Sequence, residues 1–273
     1  YRFHTNIHYF RRAKISEMSI VKTLAQDLFN ALKSGTPIPP LREEINNDIV
    51  LAYQVQEHLV RHRLDAGERI IGKKIGLTSP AVQKQLGVDQ PDYGMLFHTM
   101  DLSQTGVLDV SNLIMPKAEG ELAFILKEDL DKAALTLEDI KNAIGAVVIA
   151  IEVVDSRVEN WKIGISDTIA DNASGSHFIL GPERVALEKV KTASIEMKLY
   201  KNDELVSEGL GAACMGDPLN AALWLAQIMK NQGSPLLKGE VLLSGALGPM
   251  VSVSSGDELT MTLDGFQDLQ LSV

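Results

Sequence analysis

With one cysteine in 273 residues, no intramolecular disulfide can brace this chain, and an unpaired thiol is ordinary in a reducing cytoplasm, the compartment expected here. Cys214 sits among small residues, Gly211 to Gly216, without a neighbouring histidine, and reads as a small buried thiol. Missing too is any run of the ~20 apolar residues that a helical membrane span needs. Clusters of positive charge are lacking in the body of the chain, and over all 273 residues 26 Lys and Arg stand against 36 Asp and Glu for a formal net charge of -10. That balance argues against nucleic acid and anionic membranes as main partners. An anionic substrate stays possible, because a bound cation reverses the field locally. Repeats and low-complexity tracts are absent, and a composition 45% hydrophobic and 23% charged is that of a globular chain able to bury a real core.

What is present divides into three stretches. Residues 1–17 are aromatic, basic and aperiodic, and read as a non-native leader ahead of Met18, with a transit peptide as the alternative. Residues 18–100 read as mainly helical. Val21, Leu24, Ala25, Leu28, Phe29 and Leu32 fall at helical spacing, and a second helix is predicted from about Asn47 to Ala66, closed by Gly67. Arg69 to Thr78 reads as a glycine-containing strand, Pro80 to Leu86 as a helix, and Gln90 to Gly94 as a turn. Residues 101–273 form a β-rich body, with strands predicted at 121–126, 146–154, 194–200, 240–243 and 258–263 and a helix at 220–230. The regular strand–helix alternation of a doubly wound sheet is absent.

Carboxylates carry the chemistry. In Lys117-Ala118-Glu119-Gly120-Glu121 two acids stand two apart at a strand start, so both point to one face. Glu152 interrupts the apolar run Val147 to Val154, typical of a strand buried on both faces. A lone buried carboxylate is costly unless paired or coordinated, and three together suit Mg²⁺ or Mn²⁺. The alternative is that Glu119 and Glu121 are surface residues and Glu152 pairs with Arg157 or a lysine. Lys74, flanked by Gly72 and Gly76, could meet a ligand closely or be a solvated edge residue. Asp92 is locally best read as a turn residue, and the polar segment Asp167 to Ser174 as either a site-lining loop or Asx-turn chemistry. His58 and His62 stand four apart on a helix, but their order and the adjacent Arg61 and Arg63 make a solvated face the better reading.

Five blocks nevertheless form a pattern: Gly-Lys-Lys-Ile-Gly-Leu-Thr-Ser (72–79), Gly-Val-Asp-Gln-Pro-Asp-Tyr-Gly (87–94), Ala-Glu-Gly-Glu-Leu-Ala-Phe (118–124), Ile-Glu-Val-Val-Asp-Ser-Arg (151–157) and Asp-Thr-Ile-Ala-Asp-Asn-Ala-Ser (167–174). In this order they resemble the 2-hydroxypenta-2,4-dienoate (2-keto-4-pentenoate) hydratases of the fumarylacetoacetate hydrolase superfamily. The resemblance implies an α+β fold, with a helical N-terminal portion followed by a mixed β-sandwich or roll. It implies Mg²⁺ or Mn²⁺ on Glu119, Glu121 and Glu152, and selects Lys74 over Lys73 as the catalytic lysine, with Asp92 its acidic partner. Leu77, Thr78, Asp171, Ser174 and Ser244 become expected substrate contacts. The implied reaction adds water to 2-hydroxypenta-2,4-dienoate to give 4-hydroxy-2-oxopentanoate, in meta-cleavage catabolism of aromatic compounds, with a cation beside Lys74 lowering its pKa. A homo-oligomer, with possible association to pathway enzymes, is the expected assembly. Rival readings are 4-oxalocrotonate decarboxylation, acylpyruvate-type C–C hydrolysis and a non-catalytic partner subunit of a decarboxylase.

Overall fold

A computed structural model describes residues 3–86 and 88–273. Tyr1 and Arg2 of the expected leader lie outside the described residues, and α1 (Phe3–Ser34) begins well ahead of the periodic stretch. Its Val21, Leu24, Ala25, Leu28 and Ala31 are buried, one apolar stripe at helical spacing. α2 (Ile49–Asp65) starts where the Asp48 carboxylate accepts from the N–H groups of Val50 and Leu51, and buries Ala52, Val55, Leu59 and Val60. Four further helices follow: α3 (Pro80–Leu86), α4 (Leu137–Ala143), α5 (Ile165–Ala170) and α6 (Pro218–Asn231). α6 is capped by Asp217 and has Pro218 in its first turn. α1, α2 and α5 share one apolar cluster that includes Leu28, Val55, Leu59 and Ile169.

The strands are β1 (Ile70–Gly76), β2 (Asp92–Phe97), β3 (Lys117–Leu126), β4 (Ile144–Val154), β5 (Gly175–Leu180), β6 (Glu196–Lys201), β7 (Glu204–Leu210), β8 (Val241–Ala246), β9 (Val251–Ser252), β10 (Glu258–Leu263) and β11 (Leu269–Ser272). A seven-stranded sheet has the order β2-β1-β8-β3-β4-β5, with β9 joined to β3; the second sheet runs β11-β10-β6-β7. The β1–β8 pair is parallel, and the other strand pairs among the described residues are antiparallel. The large sheet curls until its edges approach, for Asp101, just beyond β2, bridges Phe178 of β5. Between the sheets lies the main core, with Leu122, Phe124 and Ile149 against Met197, Leu199 and Met261. Helices preceding a mixed-sheet body make this an α+β fold. β1 and β2 belong to the large sheet although they precede residue 100.

One local reading is corrected. Asp92 to Gly94 open β2 instead of forming a turn. Pro91 stands just ahead of the strand, where its missing N–H costs no ladder bond, and Gly94 is there for space: a Cβ would lie 2.4 Å from the Asn172 carbonyl oxygen.

Candidate active site

Strand register gathers the carboxylates. Glu119 of β3 stands opposite Glu152 of β4, and Glu121 opposite Ala150, so all three acids share one face. Oxygens of the three lie within 4.8 Å of one another, the one such group of three or more His, Cys, Asp or Glu among the described residues. His58 and His62 join no such group, and His62 stacks on Phe29 with ring centroids 5.4 Å apart.

Glu121 and Glu152 are fully buried. The Gly245 N–H donates to Glu121 Oε2 at 2.9 Å, from a bulged stretch of β8. Gly245 has φ 117°, and a Cβ there would meet Thr78 Oγ1 at 2.4 Å, so glycine is required on both counts. Glu121 Oε1 and both oxygens of Glu152 accept no hydrogen bond despite burial. Burial, and then the charge of Glu152, push the Glu119 carboxyl up to about 8. Glu121 is raised well above the carboxylate range by burial and by both neighbours. Orphaned oxygens and mutual repulsion in a dry site are what a hard divalent cation relieves, so these residues fit one.

Lys74 supplies the nearest positive charge, with Nζ 3.0 Å from Glu152 Oε1 and donating to the Ala173 carbonyl at 2.9 Å. Burial pulls this ammonium down, but Glu152, Glu119, Asp92 and Glu121 outweigh it and hold the lysine above its ordinary range. Lys73 points the other way along β1 and pairs with Glu240. Thus Glu152 takes Lys74, whereas Arg157, the partner considered from sequence, binds Asp171.

Asp92 faces Gly76 across the β1–β2 ladder, and a Cβ at Gly76 would lie 2.2 Å from Asp92 Oδ1. Thr168 Oγ1 is 3.5 Å from Asp92 Oδ2, while Oδ1 is buried without a partner. Burial pushes Asp92 up to about 6 against the pull of Lys74.

A cavity of about 670 Å³ opens above this floor, lined by Lys74, Leu77, Thr78, Asp92, Glu119 and Ser174 and by the apolar Val82, Trp161, Ile163, Pro249 and Met250. No histidine lines it. A separate cleft of about 760 Å³, lined by Lys127, Lys141 and Lys191, is larger but holds none of these groups. Two expected substrate contacts stand elsewhere. Asp171 accepts from Arg157 Nε at 2.5 Å, and Ser244 Oγ donates to the Leu122 carbonyl at 2.7 Å; neither lines the cavity. Lys117, Trp161 and Glu208 do line it and were not foreseen. Lys117 shares the period-two face of Glu119 and Glu121, a signal available in the sequence; its Nζ lies 4.7 Å from the Trp161 ring centroid. Trp161 and Glu208 had no such signal. Cys214 is buried, donates to the Ser244 carbonyl at 3.0 Å and is pushed up to about 12, chiefly by burial, so its thiol stays inert.

Comparison with known proteins agrees with this architecture. The family model described as fumarylacetoacetate (FAA) hydrolase C-terminal matches residues 74–273. A 2-keto-4-pentenoate hydratase of Dechloromonas aromatica is 48% identical over 236 residues, 86% of this chain and 90% of that protein. The TodF product hydratase of Pseudomonas putida F1 is 47% identical over 246 residues, 90% of this chain and 92% of that protein. Among solved structures, 4-oxalocrotonate decarboxylase from Pseudomonas putida G7, complexed with magnesium and adipate, superposes with a TM-score of 0.88 at 34% identity, covering 92% of this chain and 96% of its own. No helix among the described residues is long and apolar enough to cross a membrane. The chain belongs to the fumarylacetoacetate hydrolase family and, within it, groups with the 2-keto-4-pentenoate hydratases.

Proposed function

We propose that this enzyme is a hydro-lyase that adds water to 2-hydroxypenta-2,4-dienoate, giving 4-hydroxy-2-oxopentanoate, with Mg²⁺ or Mn²⁺ held by Glu119, Glu121 and Glu152. The observation that carries the reading is the cluster of one ammonium and three crowded carboxylates, of which Lys74 and Glu119 line a cavity sized for a small acid while Glu121 and Glu152 are fully buried. The choice of hydration within the family rests on relatives at 47% and 48% identity that bear hydratase names. A bound divalent cation would stabilise negative charge on the substrate's carboxylate and C2 oxygen.

The chain's own residues move protons and hold charge. The dienol loses its O–H proton and gains one at C5, giving an α,β-unsaturated 2-oxo acid. Water oxygen then bonds to C4, the displaced π electrons pass toward the C2 oxygen, and C3 takes a proton. Asp92, poised near 6, suits the group that accepts the proton of water and returns one to carbon. Lys74 donates to the Ala173 carbonyl, lies 3.0 Å from Glu152 Oε1 as an ion pair, and keeps N–H groups to offer the oxygen on which negative charge grows. Trp161, Ile163 and Pro249 give the carbon tail an apolar wall.

Decarboxylation is the second reading, favoured by the 4-oxalocrotonate decarboxylase superposition. The test supplies enzymatically generated 2-hydroxypenta-2,4-dienoate with and without Mg²⁺ or Mn²⁺, follows loss of dienoate absorbance and identifies the product by NMR. Trapping of carbon dioxide from 4-oxalocrotonate runs beside it. No hydrated product with either metal, or carbon dioxide release in its place, ends the hydratase reading.

A further inference from the structure

Behind Lys74 the chain makes a turn that sterics disfavour. Asn172, Ala173 and Ser174 have φ of 55°, 51° and 54°, three consecutive non-glycine residues in the left-handed region. L-residues visit it singly and rarely, so the surroundings must impose it. They do so from both ends. Arg157 Nε donates to Asp171 Oδ1 at 2.5 Å, its Nη2 to the Asp171 carbonyl at 2.7 Å and its Nη1 to the Gly175 carbonyl at 3.1 Å, so one buried guanidinium brackets the turn.

Asn172 holds the middle. Its Oδ1 accepts from the Met95 N–H at 2.7 Å and its Nδ2 donates to the Met95 carbonyl at 2.9 Å. β2 is the edge of the large sheet, so this side-chain amide takes the place of a missing neighbouring strand. Two glycines make room: a Cβ at Gly94 would strike Asn172, and one at Gly175 would lie 3.2 Å from Lys74 Cδ. At the apex, the Ala173 carbonyl accepts from Lys74 Nζ.

We infer that Asn172 and the Arg157–Asp171 pair are positioning residues, which force the left-handed turn so that the Ala173 carbonyl aims the Lys74 ammonium. The turn thereby fixes one of the three N–H directions and leaves the ammonium preset for substrate. The inference rests on the role proposed above for Lys74, but its geometric content does not depend on which reaction follows.

Asn172→Gly separates orientation from strain, because glycine adopts the left-handed turn freely and lacks only the amide that grips Met95. Two measurements are made on the full-length protein. Acetic anhydride labelling with peptide mass mapping reads the reactivity of Lys74 against Lys73, an internal reference on the opposite face. The Lys74/Lys73 ratio is expected to rise at least about fivefold in Asn172→Gly, because a side chain no longer aimed by the Ala173 carbonyl swings into the cavity and reaches reagent more readily. Where wild type turns over the dienoate, kcat is expected to fall ~10- to 100-fold with KM within about threefold, as for a misplaced catalytic group. An unchanged labelling ratio, or a kcat equal to wild type, overturns the inference. Absence of turnover in wild type itself overturns the hydratase reading and leaves the labelling arm to decide this one. Arg157→Lys provides a second variant: lysine keeps the charge, cannot bracket the turn, and is expected to raise the same ratio.

Discussion

Glu121→Gln should stabilise the metal-free protein while abolishing its response to metal, a sign opposite to most substitutions of a fully buried residue. In wild type, Glu121 Oε2 accepts from the Gly245 N–H while Oε1 has no partner, and the carboxylate clusters with those of Glu119 and Glu152. Glutamine keeps an acceptor for Gly245 and turns the orphaned oxygen into a donor for an adjacent carboxylate. Because burial and both neighbours raise Glu121 well above the carboxylate range, folding at neutral pH must either bury its charge or take up a proton. Glutamine needs neither and adds a hydrogen bond, together worth about 1–3 kcal/mol. At ~2–4 °C per kcal/mol for a chain of this size, Tm in EDTA should rise by about 3–10 °C. Wild type should gain about 2.7 kcal/mol, some 5–10 °C, at Mg²⁺ a hundredfold above Kd, and Glu121→Gln almost none. Differential scanning fluorimetry with and without Mg²⁺ or Mn²⁺ measures both. A variant that melts below wild type in EDTA, or that keeps the full metal-dependent shift, refutes the account of these carboxylates as a repelling cluster awaiting a cation.

Three further outcomes are expected. Lys74→Ala should retain the metal-dependent shift and lose ~10²- to 10⁴-fold in turnover; comparable turnover removes Lys74 from the mechanism. Gly76→Ala places a Cβ 2.2 Å from Asp92 Oδ1, so kcat should drop roughly a hundredfold with metal response intact, and an unaltered rate would show that Asp92 need not stay where it is. Burial, aided by Arg63 and Arg157, pushes His177 down to about 4, so between that value and about 6.5 the unfolded chain binds the extra proton. Its contribution is complete above about 6.5 and is lost as pH falls to about 4, about 3 kcal/mol in all; urea titrations of His177→Gln should show a shallower acid limb, and an identical limb counts against the assignment.

The carboxylates were legible because their signals are local. Period two sends Glu119 and Glu121 to one face, and an acid inside the apolar run of β4 demands an explanation. The choice of Lys74 over Lys73 came from motif resemblance alone, since spacing cannot say which of two adjacent strand residues faces a site until the neighbouring strands are known. Asp92 was hidden by its own neighbours, for Pro91 and Gly94 carry turn propensity and only the approach of Asn172, far along the chain, gives Gly94 its reason. Asp171 shows the limit from the other side. A polar loop beside a site and a polar loop bracing a site read alike in sequence, and what separates them is the tertiary placement of Arg157. Likewise the parallel β1–β8 pair joins segments too far apart for any local pattern to announce.

The adjacent lysines of β1 carry a consequence for how this protein tolerates change. Lys73 and Lys74 are both buried, one tied to Glu240 and the other to Glu152, and the ladder with β2 pairs them with Met95 and Gly94 beyond an irregularity between Ile70 and Gly72. Since inward and outward positions alternate, inserting or deleting a single residue just ahead of Gly72 would exchange their parity without erasing either side chain. The composition would be intact and the enzyme dead. Variation in the connection before β1 should therefore come in lengths that the turn at Gly67 can absorb, and never as a frame slip within the strand itself.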